Sequence, residues 1–162
     1  MMDRRRFSKT VAGVIGASFL PPATLEGIQS QDQPRINGDR LHSWLRDLSR
    51  FGARPDGGVD RVAFSDADLQ GREFLMALME EAGLEVRVDL VGNILGRLPG
   101  SAPDLPPLMV GSHIDSVPAG GNFDGPLGTL GALESVVTLQ ESGLRPRHPI
   151  DVVAFVNEEP PY

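Results

Sequence analysis

The chain contains no cysteine, so disulfides, thiolate zinc sites and cysteine nucleophiles are excluded. It also lacks a surplus of positive charge. The net charge is -7, and the basic residues are nearly all arginine, scattered except for one N-terminal cluster. A nucleic-acid surface needs a basic face, so nucleic acid is not an expected partner. The apolar run Val11 to Leu20 falls short of the roughly 20 residues that cross a bilayer, so no stable membrane span is expected. Aromatic residues are sparse at 6%, yet Trp44, several Phe residues and 40% apolar content are ordinary for a globular protein. At 162 residues the chain can bury one real core and is too short for two comfortable domains.

Arg4-Arg5-Arg6-Phe7-Ser8-Lys9 precedes the short apolar run, and Pro21-Pro22-Ala23 follows it. A basic region, a short apolar stretch and a helix-breaking segment with small residues make the layout of a secretory signal. The offsets of Arg4-Arg5, Phe7 and Lys9 resemble a twin-arginine signal, which implies export, to the periplasm in a bacterium. No clean Ala-x-Ala cleavage site is present, and the alternative is a basic tail on a cytoplasmic protein. Residues 1–30 are therefore set aside as signal and linker, and residues 31–162 are read as the folded part.

Within that part, Arg40 to Phe51 places Leu41, Trp44, Leu45 and Leu48 on one helical stripe, with Asn37 or Asp39 as cap. Ser65 with Asp68 three residues on opens a second helix that buries Leu75, Leu78, Met79 and Ala82 and stops at Gly83. The period then changes. Leu84 to Leu90 alternates as a half-buried strand, and Gly92-Asn93 turns it into a hairpin with Ile94 to Leu98. Leu108-Met109-Val110 is a short apolar strand, Leu127 to Leu139 a buried helix, and Ile150 to Val156 a buried strand. Gly128 and Gly131 are expected to let neighbouring backbone approach that helix. Strand, helix and strand make a right-handed βαβ unit. The fold class is thus α/β: a mixed sheet flanked by helices, preceded by a signal segment.

Three clusters fall at or between the ends of the two apolar strands: Gly111-Ser112-His113-Ile114-Asp115-Ser116, Asn122-Phe123-Asp124-Gly125, and Asn157-Glu158-Glu159. Open α/β sheets hold their ligands at the carboxyl ends of parallel strands. Imidazole and carboxylates gathered there suit a divalent ion, with a further carboxylate to accept a proton from water. Taken singly, Asp115 reads equally as a turn residue; a solvated strand end is the lesser reading of Glu158-Glu159, and a Gly-rich turn is the bland reading of Asn122 to Gly125. The Gly120 to Gly125 loop lacks the lysine and threonine of a nucleotide-binding loop.

Together these motifs resemble the dinuclear metal amidohydrolases related to aminoacylase and glutamate carboxypeptidase, in particular their N-carbamoyl-L-amino-acid hydrolase and allantoate amidohydrolase branch. Gly57-Gly58-Val59, Ala63-Phe64-Ser65-Asp66, Ala82-Gly83-Leu84 and Gly92-Asn93 are in the same style, and the resemblance runs from Arg35 to Glu159. It implies part of an aminopeptidase-like catalytic domain and two divalent ions (zinc, manganese or cobalt). His113 would bind one ion, Asp124 would bridge both and Glu159 would bind the second. Asp115 would fix the His113 tautomer through the other ring nitrogen, and Glu158 would be the general base. The implied substrate is a small molecule with a carbamoyl or ureido C–N bond, and the whole enzyme would be a homodimer.

The sequence departs from that pattern at Pro160-Pro161-Tyr162, where the family continues with glycine and an aromatic turn. The resemblance also implies further histidine ligands and a small domain downstream, and His42 and His148 do not occupy those places. Three expectations follow. The chain corresponds to about the first third of such an enzyme, has little or no activity alone, and leaves the edge of Ile150 to Val156 uncovered. A peptidase or deacylase of the same superfamily, or an inactive remnant, are the competing readings.

Overall fold

The computed structural model describes residues 33–159. The basic and apolar N-terminal segment, with its expected export role, lies outside the described residues.

Helix α1 (Gly38–Leu48) starts where Asn37 accepts the Arg40 N–H at 3.1 Å, so Asn37 rather than Asp39 is the cap. It ends one turn earlier than the apolar spacing suggests, with Leu45 and Leu48 buried. Helix α2 (Asp66–Glu81) is capped by Ser65, which accepts the Asp68 N–H at 3.2 Å. The reciprocal bond is displaced by one residue: the Asp68 carboxylate takes the Phe64 N–H at 2.9 Å. Leu75, Leu78 and Met79 face the core, Ala82 is only partly buried, and Gly83 closes the helix at φ +75°.

Strands β1 (Glu85–Val88) and β2 (Ile94–Leu98) form the expected antiparallel hairpin, with Val88 opposite Ile94. Its turn is built on Asp89, whose Oδ1 accepts the N–H groups of Val91, Gly92 and Asn93 at 2.9–3.0 Å. β1 is less buried than its alternation suggests. Leu84 and Val86 pack inward, but Val88 is half exposed and Leu90 stands fully in solvent, because β1 is an edge strand.

Strand β3 (Leu108–His113), helix α3 (Pro126–Glu141) and strand β4 (Ile150–Phe155) supply the crossover, and β3 pairs parallel to β4. The sheet order is β1-β2-β4-β3, mixed in direction. Here one expectation is overturned. β4 pairs on both sides, antiparallel to β2 and parallel to β3, so β4 is central and β3 is the edge among the described strands. β4 is accordingly buried, whereas Leu108, Met109 and Val110 are substantially exposed. Gly111 is required where β3 meets β4, because a Cβ there would collide with the Val153 carbonyl. Gly128 lets α3 close on Ser112, where an added Cβ would lie 2.8 Å from the Ser112 Cβ; Gly131 faces open space and has no such role. Among the described residues, no helix is long and apolar enough to cross a membrane.

Candidate metal centre

His113 is the last residue of β3, buried, with its carbonyl bonded by the Thr129 hydroxyl of α3 at 3.0 Å. Two residues beyond β4, Asn157 adopts a left-handed conformation (φ +53°), which asparagine tolerates better than most residues. That turn brings the next two residues back toward β3. His113, Glu158 and Glu159 each present a ligand atom, and these atoms lie within 4.8 Å of one another. The His113 Nε2 is 3.4 Å from a Glu158 carboxylate oxygen. The segments just beyond the two strand ends thus meet, as Asp115 Oδ2 accepting the N–H of Glu159, 44 residues on, at 3.0 Å also shows.

The His113 Nδ1 bonds to the Asp115 main-chain carbonyl at 3.0 Å. With its proton there, Nε2 presents a lone pair toward the two glutamates. An imidazole nitrogen and two carboxylates converging on one point are a donor set that could hold a divalent cation. The geometry differs from expectation in one detail. The Asp115 carboxylate does not hold the imidazole: its Oδ1 is 3.7 Å from Nδ1 and, though buried, has no hydrogen-bond partner. The main chain takes that role because Oδ2 is committed to Glu159. An orphaned buried carboxylate oxygen beside this donor set is a second sign that positive charge belongs here.

Asp124 is not drawn into the group. It is exposed, on the loop that enters α3 through Gly125. The next residue, Gly125 (φ +80°), packs on the imidazole so closely that a Cβ there would lie 2.5 Å from His113 Nδ1 and Cε1. Glycine is therefore obligatory at that point. His148 is partly buried, with Nδ1 at 2.8 Å from the Pro106 carbonyl, and His42 lies on the exposed face of α1. Neither joins the cluster.

Sequence reasoning passed over Arg61. It is wholly buried, and its guanidinium donates to the carbonyls of Ile114 (2.6 Å), Leu48 (2.9 Å) and Phe51 (3.0 Å). Burial pulls its pKa down to about 10, although the charges of Asp68 and Asp115 support the cation. Burial has the opposite effect on Asp68, pushing its carboxyl up despite the Phe64 N–H bond. The available signal was a lone arginine flanked by Val59, Val62 and Ala63, where apolar neighbours mark an inward-facing segment.

The family description Peptidase family M28 matches residues 93–161, the stretch that holds the hairpin's second strand and every candidate ligand. The resemblance to the carbamoyl and ureido branch of the metal amidohydrolases then holds over most of the chain. It is 46% identical over 124 residues to an N-carbamoyl-L-amino acid amidohydrolase of Geobacillus stearothermophilus, covering 76% of this chain and 30% of that protein. It is 36% identical over 152 residues to a ureidoglycolate hydrolase of Arabidopsis thaliana, covering 94% of this chain and 32% of that one. The solved structure of a hydantoinase/carbamoylase family amidase from Burkholderia ambifaria superposes with a TM-score of 0.76 at 42% identity, over 78% of this chain and 31% of that one. The chain thus spans about 30% of the length of the curated relatives it matches.

Proposed function

We propose that the chain supplies the β3–β4 half of the metal centre of an amidohydrolase. Its substrates are small molecules with a carbamoyl or ureido C–N bond, such as N-carbamoyl amino acids, allantoate or ureidoglycolate. The observation that carries this reading is the convergence of His113, Glu158 and Glu159 at the carboxyl ends of adjacent parallel strands. Similarity to carbamoyl amidohydrolases and a ureidoglycolate hydrolase supports the substrate class.

Divalent cations, when bound, lower the pKa of water and polarise the scissile carbonyl. His113 and Glu159 would hold them, and the resemblance adds Asp124 as a further carboxylate ligand. Glu158, with a side chain 54% exposed, would take the proton from the attacking water. Oxygen adds to the carbonyl carbon, the C–N bond breaks, and the departing nitrogen leaves with the proton that Glu158 held. The Asp115 carbonyl keeps the imidazole proton on Nδ1 throughout.

The finer features belong to the same proposal: two ions of zinc, manganese or cobalt, export directed by the N-terminal segment, and a homodimeric whole enzyme. The test is titration of metal-free protein with Zn²⁺, Mn²⁺ and Co²⁺. Binding that is lost in His113→Ala and Glu159→Gln is expected, and a chain that takes up none of the three ions contradicts the reading. Turnover is then compared with Glu158→Ala over carbamoylated, acylated and peptide substrates. The Peptidase family M28 match favours peptide-bond hydrolysis as a second reading, and a preference for peptides in that panel selects it. Export is tested by replacing Arg4 and Arg5 with lysine; continued export by the twin-arginine route removes that part.

A further inference from the structure

The loop from Ile114 to Asn122 connects two candidate ligands, His113 and Asp124, and the segment Gly57–Arg61 is bonded along much of it. The Asn122 side-chain amide donates to the Gly57 carbonyl at 2.8 Å. Val59 and Gly120 exchange main-chain bonds of 3.0 and 2.9 Å, and the Ala119 N–H reaches Asp60 Oδ1 at 2.6 Å. Arg61 accepts the Ser116 N–H at 2.9 Å and gives its own N–H to Ser116 Oγ at 3.0 Å. Ala119 has φ +56°, a conformation that persists only where surroundings over-determine it.

Arg61 is the buried end of this segment, and its choice of partners is unusual. Buried charges normally pair with carboxylates. This guanidinium instead donates to main-chain carbonyls, one of them Ile114, the residue between His113 and Asp115. Asp115 in turn carries both sides of the donor set, through its carbonyl to the His113 ring and its carboxylate to the Glu159 N–H. Any drift of the chain at 114–116 therefore moves an imidazole and a glutamate at once.

We propose that Arg61, together with Ser116, is a positioning residue that sets the metal-ligand geometry by clamping the main chain on either side of Asp115. This rests on the metal-centre reading above. It concerns the order of the donor set, not the overall fold.

Co²⁺ binding to the 162-residue chain, followed by its visible absorption, tests it in Arg61→Lys and Ser116→Ala, with urea unfolding measured alongside. Lysine keeps the charge but cannot fork between carbonyls 10 and 13 residues away and Ile114. Arg61→Lys is expected to weaken Co²⁺ by roughly ten- to a hundredfold and to alter the band shape. Ser116→Ala, a small truncation that leaves the core intact, is expected to weaken it by roughly three- to tenfold. If Arg61→Lys does not fold, Ser116→Ala decides alone. A purely structural arginine would lower the urea midpoint and leave the cobalt affinity and spectrum of folded protein unchanged, and that result in both folded variants overturns the proposal. Failure of the unaltered chain to bind Co²⁺ is a different outcome, which removes the metal-centre reading and this proposal with it.

Discussion

Arg61 and Glu134 both have fully buried side chains, and the fold stabilises them by opposite means. Glu134, on α3, meets a formal counter-charge: Arg40 of α1 reaches it through Nε at 2.6 Å and Nη2 at 3.0 Å, and spans outward to Glu141. The Asn37 N–H and the Thr138 hydroxyl complete its shell at 2.8 and 3.0 Å. Arg61 has no such partner in contact and is satisfied by carbonyls beside the donor set. The first arrangement ties two helices together. The second fixes the path of a loop, so the two charges should separate stability from metal binding.

The largest effect is expected from Arg40→Ala. It leaves the Glu134 carboxylate buried without its cation, a loss of about 3 kcal/mol in urea unfolding, with cobalt affinity of the folded protein unchanged. Gly125→Ala comes next and acts on the other side of the comparison. Its methyl meets the imidazole and its φ of +80° is strained, costing about 1–3 kcal/mol and also weakening Co²⁺.

A pH series sharpens the contrast. Burial pushes the Glu134 carboxyl up, but the bonds from Arg40, Asn37 and Thr138 outweigh it and hold the group below its ordinary 4.5. Because the folded value is depressed, its stabilisation is complete above pH 4.5 and is lost as pH falls through the lower folded value. Thermal midpoints should therefore drop in acid, and Arg40→Ala should flatten that limb. Arg61→Lys should keep it, since neither cation titrates there. The smallest effect is expected from Arg54→Ala. Its exposed pairs with Asp56 and Asp60 are solvent-screened, so no measurable change in urea midpoint should appear.

Much of the fold could be read from local signals. The stripe on α1, the Ser65 cap and the apolar runs around His113 and Asn157 correspond to observed elements, because periodicity and capping are short-range chemistry. Strand order was not legible. The apolar run of β3 gave no hint of its exposure and the edge of β4 was expected to be uncovered, yet pairing with the β1–β2 hairpin puts β4 in the centre. At the candidate site, His113, Glu158 and Glu159 come together as their motifs suggested. The Asp115 carboxylate does not bond the imidazole, because a main-chain carbonyl takes that nitrogen, and Asp124 lies exposed outside the tight group. Arg61 carries no motif; only its distant acceptors reveal it.

The central place of β4 has a dynamic consequence. With hydrogen-bonded neighbours on both sides and a buried run from Ile150 to Ala154, its amides should be among the last to exchange with deuterated solvent. The acidic pair at its tip is thus moored to the slowest-opening part of the sheet, while His113 is moored to β3, the edge among the described strands, which frays sooner. Thermal agitation should release the imidazole before the glutamates.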